Sequence, residues 1–151
     1  MGNTKYFVRP SVRVKFRKNF ISRTILKKTQ IDTLLLDGGM GHELKKRSPL
    51  FNQKLWSASV LVEDPELVCS IHQDFICSGA NVITTNNYTV TPFVLEKNGC
   101  LKEFEHLTKL SVSLAKQAID ATKKNTLIAG CLPPLVETYR PDLILEHSKG
   151  V

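Results

Sequence analysis

The run Leu34-Leu35-Leu36-Asp37-Gly38-Gly39-Met40-Gly41 limits what this chain can fold into more than any other stretch. Three leucines lead straight into an acid, and a glycine cluster follows. A continuous apolar run, unlike an alternating one, suits a strand buried on both faces of a parallel sheet. Asp37 is then predicted at the strand's C-terminal end, the edge where α/β folds carry their chemistry. Gly38, Gly39 and Gly41 permit positive φ and close backbone approach, so their N–H groups are candidates to cradle a carboxylate or a phosphate. A cation beside Asp37 and an anion beside those amides would suit a zwitterionic amino acid. An ordinary βα turn whose aspartate caps a helix fits the same residues, and the stretch alone leaves both readings open. Two nucleotide motifs are excluded. A dinucleotide fingerprint needs glycine where Leu44 stands, and no Gly-Lys-Ser/Thr follows to make a P-loop.

Charge is distributed unevenly. Residues 1–31 hold nine of the 21 basic residues and no acid, whereas the remaining 120 carry 12 basic and 14 acidic residues. The net charge of +7 therefore belongs to the N-terminal arm, and a basic nucleic-acid surface on the body is not expected. The arm, rich in Arg and Lys and punctuated by Ser and Thr, is similar to an organellar transit peptide, with a disordered basic tail or an extension of no role as the alternatives, which gives a cytoplasmic or mitochondrial expectation for the chain. We accordingly expect a basic extension over 1–31 and a folded part over 32–151. Cys69, Cys77, Cys100 and Cys131 form no CxxC pair, so they are predicted to be reduced, mostly buried thiols. No apolar run approaches the roughly 20 residues of a membrane span, and no membrane partner is expected.

Along the body, Glu43 to Arg47 reads as short and polar, and Leu55 to Val62 as loop followed by an apolar run. Asp64-Pro65 has the form of a cap and first turn, opening a helix to about Ser78 that buries Leu67, Val68, Ile71, Phe75 and Ile76 and stops at Gly79. His72 in that helix is expected to be a satisfied or surface side chain, since no metal-type residue recurs four positions on. Asn81 to Tyr88 reads as a second strand that turns polar, putting Thr84 to Tyr88 on the same rim as Asp37. Thr91-Pro92 opens a short helix. A long one follows from about Glu103 to Lys123, with Phe104, Leu107, Leu110, Leu114, Ala118 and Ile119 inward. Thr126 to Cys131 reads as a third strand, and Tyr139 to Asp142 begins a helix-like stretch. Strand–helix alternation repeated three times predicts an α/β fold with a parallel sheet. Three strands cannot close a (β/α)8 barrel, which takes about 250 residues.

Taken in order, these motifs resemble the homocysteine S-methyltransferases, a family that includes the betaine–homocysteine methyltransferases. The resemblance covers about residues 32–145. It rests on Leu35-Leu36-Asp37-Gly38-Gly39-Met40-Gly41 with Glu43-Leu44, on Trp56-Ser57, and on Pro65 through Asn81-Val82-Ile83-Thr84-Thr85-Asn86-Asn87-Tyr88. Ala129-Gly130-Cys131-Leu132-Pro133-Pro134 with Tyr139-Arg140-Pro141-Asp142 completes it. The order and spacing of the blocks carry the match.

The resemblance implies an α/β fold forming the N-terminal part, about three βα units, of a zinc-dependent TIM (β/α)8 barrel. It also implies transfer of a methyl group to homocysteine from S-methylmethionine, S-adenosylmethionine or betaine. Asp37, Gly38 and Gly39 would hold the homocysteine zwitterion, and Trp56 and Tyr88 would face the donor, whose cationic centre aromatic faces accommodate well. Thr85 and Asn87 are further pocket-lining candidates. Rim or core packing is the alternative role for Trp56 and Tyr88. His42 and Cys131 stand where the family more often carries small hydroxyl residues. The cysteines of the later strands that bind the family's zinc, including a Gly-Gly-Cys-Cys stretch, have no counterpart in these residues. We therefore expect a truncated chain that is inactive alone. Its alternative is a half-barrel product that acts by associating with a partner through its open sheet edge.

Overall fold

The computed structural model describes residues 33–52 and 54–134. The basic arm and the stretch after Pro134, including Tyr139 to Asp142, lie outside these residues. From Leu34 onward the described residues fall within one compact unit.

The first helix, α1 (Met40–Arg47), starts immediately after the glycine cluster. Sequence reading expected a shorter polar segment from Glu43. The helix begins three residues earlier because Met40 and Leu44, four apart, share one face and are both buried. Glu43 lies in its first turn and Lys45, Lys46 and Arg47 in its last, the distribution that a helix dipole favours. Arg47 pairs with Glu43 and reaches across to Asp74.

Where loop and then an apolar run were expected, a second helix, α2 (Ser57–Glu63), forms. Its residues Ser57 to Leu61 are all buried, because α2 packs against α1 and against two later helices. Contact on several sides overrides the weak helix preference of Val60 and Val62 and hides the one-sided pattern that identifies surface helices.

The next helix, α3 (Pro65–Cys77), follows the expected punctuation closely. Asp64 accepts the Leu67 N–H at 3.1 Å, Pro65 occupies the first turn, and Gly79 follows with φ +108°. The Lys124 ammonium donates to the carbonyls of Ile76 (3.3 Å) and Cys77 (3.1 Å), closing the C-terminal end of α3 from 47 to 48 residues away. Strand β1 (Val82–Thr84), helix α4 (Pro92–Lys97, with Thr91 as side-chain cap), a 3-10 turn (Leu101–Glu103), helix α5 (Phe104–Thr122) and strand β2 (Leu127–Ala129) complete the unit. On α5, Leu107, Leu114 and Ala118 are buried as expected, with Ser111 and Ala115 beside them. Phe104, the first residue of the helix, is exposed, and Leu110 and Ile119 are half-buried.

β1 and β2 are parallel, pairing Val82 with Leu127, Ile83 with Ile128 and Thr84 with Ala129. The expected first strand is present only as a parallel bridge from Leu36 to Val82. Its backbone still runs beside β1: Asn81 and Val82 N–H donate to the Leu35 carbonyl, and Asp37 N–H donates to the Val82 carbonyl at 2.9 Å. Burial on both faces does not occur among the described residues, where Leu34, Leu35 and Leu36 are 41, 55 and 62% exposed. Helices cover β1 on one side; Ile83 is fully buried against Ile76, Ala115 and Ala118. No described element covers the leucines in the same way. The fold is α/β with parallel strands, and a larger core lies among the helices around Leu44, Leu61, Ile71 and Leu107.

Candidate functional site

The parallel arrangement brings the C-terminal ends of three segments to one rim: Asp37 after Leu36, Thr84 to Tyr88 at and after β1, and Cys131 after β2. Asp37 is clamped there. One carboxylate oxygen accepts the Thr84 N–H at 2.7 Å, and the other accepts the Thr84 hydroxyl at 3.0 Å. Each oxygen keeps a lone pair for a further donor. Of the two readings open for the Asp37 stretch, helix capping is not adopted. The residue before α1 is Gly39, with no side-chain cap, and Asp37 turns to β1 instead.

The glycines act differently from expectation. None of Gly38, Gly39 and Gly41 has positive φ; among the described residues the positive-φ glycines are Gly79 and Gly99. Gly38 alone is needed for close approach, because a Cβ there would lie 2.8 Å from Cε1 and 3.3 Å from Cζ of Phe75. Gly39 uses its carbonyl to accept the His42 and Glu43 N–H groups that open α1.

Around Asp37 opens a cleft of about 1000 Å³. Asp37, Gly38, Trp56, Thr85 and Tyr88 line it, so five of the seven sequence-derived candidates come together. Gly39 and Asn87 are not part of its lining. Asn87 is instead a staple: its carbonyl oxygen accepts the Thr85 hydroxyl at 2.7 Å, and its amide donates to the Cys131 carbonyl at 3.2 Å. The Thr85 hydroxyl in turn accepts the Cys131 N–H at 3.0 Å, locking the loop after β1 to the loop after β2.

Trp56 and Tyr88 are 57 and 43% exposed, each with a surface open to the cleft. Trp56 stands at φ +51°, ψ −129°, a conformation costing a bulky residue on the order of 1–3 kcal/mol. Phe51 meets its ring edge-on, with centroids 6.5 Å apart and an interplanar angle of 72°.

The sequence did not mark several participants. Thr84, which grips Asp37, lies next to the candidate Thr85, and no spacing rule separates the two without the register. Lys54, and Phe93, Val94 and Asn98 from α4 and its C-cap, also line the cleft. His72 lies beneath the rim, and it is neither satisfied nor on the surface as expected. It is fully buried with no partner at either ring nitrogen, because Val68, Ile71 and Ile76 place its face of α3 in the core. Burial pushes its pKa down to about 4, while the negative charge of Asp37 pulls the other way. That helical stripe was readable from Val68-x-x-Ile71-His72, a spacing that should have sent His72 inward. Cys131 is half-buried at the cleft wall, and burial raises its thiol pKa.

Among the described residues no three His, Cys, Asp or Glu side chains gather where an ion could be held. The described residues do not by themselves fit a zinc site.

Residues 34–149 match the model of the homocysteine S-methyltransferase family. The homocysteine S-methyltransferase of Escherichia coli (strain K12) is 39% identical over 102 residues, spanning 67% of this chain and 33% of that protein. Homocysteine S-methyltransferase 1 of Brassica oleracea var. italica is 37% identical over 87 residues, 57% of this chain and 27% of that protein. In structure, the metallated form of the homocysteine methyltransferase MmuM from Escherichia coli superposes with a TM-score of 0.64 at 36% identity. That match covers 74% of this chain and 41% of the MmuM chain. The chain thus matches about a quarter to a third of the length of these curated relatives.

Proposed function

The chain belongs to the homocysteine S-methyltransferase family, and from that premise we propose that its cleft holds homocysteine against a cationic methyl donor, within a complete (β/α)8 barrel. The observation that carries this reading is the carboxylate of Asp37, fixed by both the backbone and the hydroxyl of Thr84 at the rim of a cleft walled by Trp56 and Tyr88. Asp37 receives the homocysteine ammonium, a charge-assisted contact stronger than a neutral one. Trp56 and Tyr88 take the donor's sulfonium or quaternary ammonium group on their faces. S-methylmethionine, S-adenosylmethionine and betaine all carry such a group.

In the reaction the homocysteine thiol gives its proton to water. Its sulfur then attacks the donor methyl carbon opposite the leaving sulfur or nitrogen. The new S–CH3 bond forms as the electron pair of the old bond returns to the donor, which leaves without its positive charge. The residues of this chain hold the two reactants in contact and in line, the part of the barrier that positioning removes.

Isothermal titration of the full chain with homocysteine and with S-methylmethionine tests this reading. Asp37→Asn is expected to weaken homocysteine binding and leave the donor largely unaffected, whereas Trp56→Ala is expected to do the reverse. Homocysteine binding that is indifferent to Asp37→Asn would sink the assignment.

A second reading is favoured by one observation. Leu34 to Leu36 are exposed beside a backbone edge, which suits association with a complementary half-barrel. A concentration-independent monomer in sedimentation would count against it.

A further inference from the structure

We propose that Asn52, Ser59, Asn86 and Thr89 are positioning residues that hold Trp56 in a strained, ready conformation for the donor's cationic group; this rests on the donor reading above. Trp56 is an unusual residue to find at φ +51°. Glycine is the residue that adopts such a conformation without strain, and a tryptophan keeps it only where its surroundings over-determine it.

The surroundings do so through a closed circuit. The Trp56 N–H donates to the Asn52 carbonyl at 2.8 Å. The Ser59 hydroxyl donates to the Trp56 carbonyl at 2.6 Å and accepts the Asn52 N–H at 3.1 Å. The Asn52 side-chain oxygen takes the N–H groups of Lys54 and Leu55 at 3.0 and 2.9 Å, completing the turn that leads into Trp56. The carbonyls of the two residues on either side of Trp56 are then tied to the segment after β1. Thr89 Oγ1 donates to the Leu55 carbonyl at 2.8 Å, and Asn86 Nδ2 donates to the Ser57 carbonyl at 3.3 Å.

Tyr88, the other aromatic wall, lies between Asn86 and Thr89 in the chain. The same two cross-links therefore set the separation of both aromatic walls. Ser59 and Asn86 are 2 and 5% exposed, so this half of the brace is buried, with Thr89 half-buried and Asn52 at the surface, while the indole it carries is open to the cleft. A loop needed only for folding would be served as well by a relaxed glycine at this position. Strain placed under a cleft-facing aromatic instead gives a wall whose ordering cost is met in folding and not at ligand binding.

Trp56 is the one tryptophan of the chain, so its fluorescence reports on this position alone. The full chain, wild type, Ser59→Ala and Thr89→Val, is titrated with tetramethylammonium and with S-methylmethionine while fluorescence is followed. Saturable quenching is expected in the wild type, with affinity lower by roughly 3- to 10-fold in Thr89→Val, which loses one hydrogen bond, and by at least as much in Ser59→Ala, which loses two. Thr89→Ser should restore it, and homocysteine affinity measured by calorimetry should not move. Time-resolved anisotropy of the unliganded wild type is expected to show an indole without independent nanosecond motion, a result that needs no variant to fold. A freely rotating indole, or variants that bind both cations as the wild type does, would overturn the inference while leaving the donor site in place. Wild-type protein that binds neither cation would overturn the donor site itself, and the inference with it.

Discussion

The most exacting prediction concerns His72, because three observations about it converge. It is fully buried, neither ring nitrogen has a partner, and its pKa lies near 4 against an ordinary 6.5, with desolvation the main cause. A base whose folded pKa is depressed binds fewer protons in the folded than in the unfolded state between those two values. Stability is then at its full level above pH 6.5 and falls as the pH drops towards 4. At 1.36 kcal/mol per unit, the gap corresponds to about 3 kcal/mol, a large share of the 5–15 kcal/mol that ordinarily separates folded from unfolded.

His72→Leu isolates this contribution. Urea unfolding followed by circular dichroism, for wild type and variant from pH 7.5 to pH 4, yields two stability profiles. Contributions common to both proteins cancel in the difference. Near pH 7 the difference should be small, since leucine loses little packing and removes an orphaned polar group. By pH 4 the variant should be the more stable by about 3 kcal/mol. Asp37→Asn should steepen the wild-type decline, because the Asp37 charge is what partly supports the imidazolium. Parallel profiles, or an NMR titration placing His72 near 6.5, would refute the argument.

Three further outcomes follow from the geometry. Thr84→Val removes the hydroxyl from Asp37 and leaves the backbone N–H, so calorimetry should find homocysteine binding weaker by about 1 kcal/mol, or roughly fivefold. Gly38→Ala drives a methyl group into the Phe75 ring and should cost about 1–3 kcal/mol in urea unfolding; adding Phe75→Leu should recover most of it. Lys124→Met withdraws the ammonium from two terminal carbonyls of α3 and should lower stability by about 0.5–1.5 kcal/mol, with hydrogen exchange accelerating first at the C-terminal end of α3.

How far the chain could be read in advance varied with the kind of signal. Helix α3 is marked by local chemistry: an aspartate cap, a proline in the first turn and a glycine at the stop all act within a few residues. α2 escaped because its evidence is tertiary. With Ser57 to Leu61 all buried, one-sided periodicity does not exist to be seen, and two serines at its start read as loop. The leucine strand erred in the opposite direction. An apolar run announces that something will cover it, yet it does not say which residues do, and none of the described elements buries Leu34 to Leu36.

The site divides along the same physical line. Asp37 was legible because an acid directly after an apolar run has few reasons to be there except a strand end. Its partner Thr84 depended on register: β1 must run parallel to the Leu36 segment with Val82 opposite Leu36 before Thr84, and not Thr85, meets the carboxylate. A shift of one residue would exchange their faces. Thr85 then serves the cross-strand tie to Cys131, and Asn87 spends both ends of its amide on the same tie. The TTNNY motif therefore divides its labour by position. One threonine orients the acid, the other joins two loops, one asparagine braces the loop beneath Trp56, and the tyrosine is left to face the cleft. Residue types that look interchangeable in a string become distinct because a strand alternates its faces and the loop after it does not.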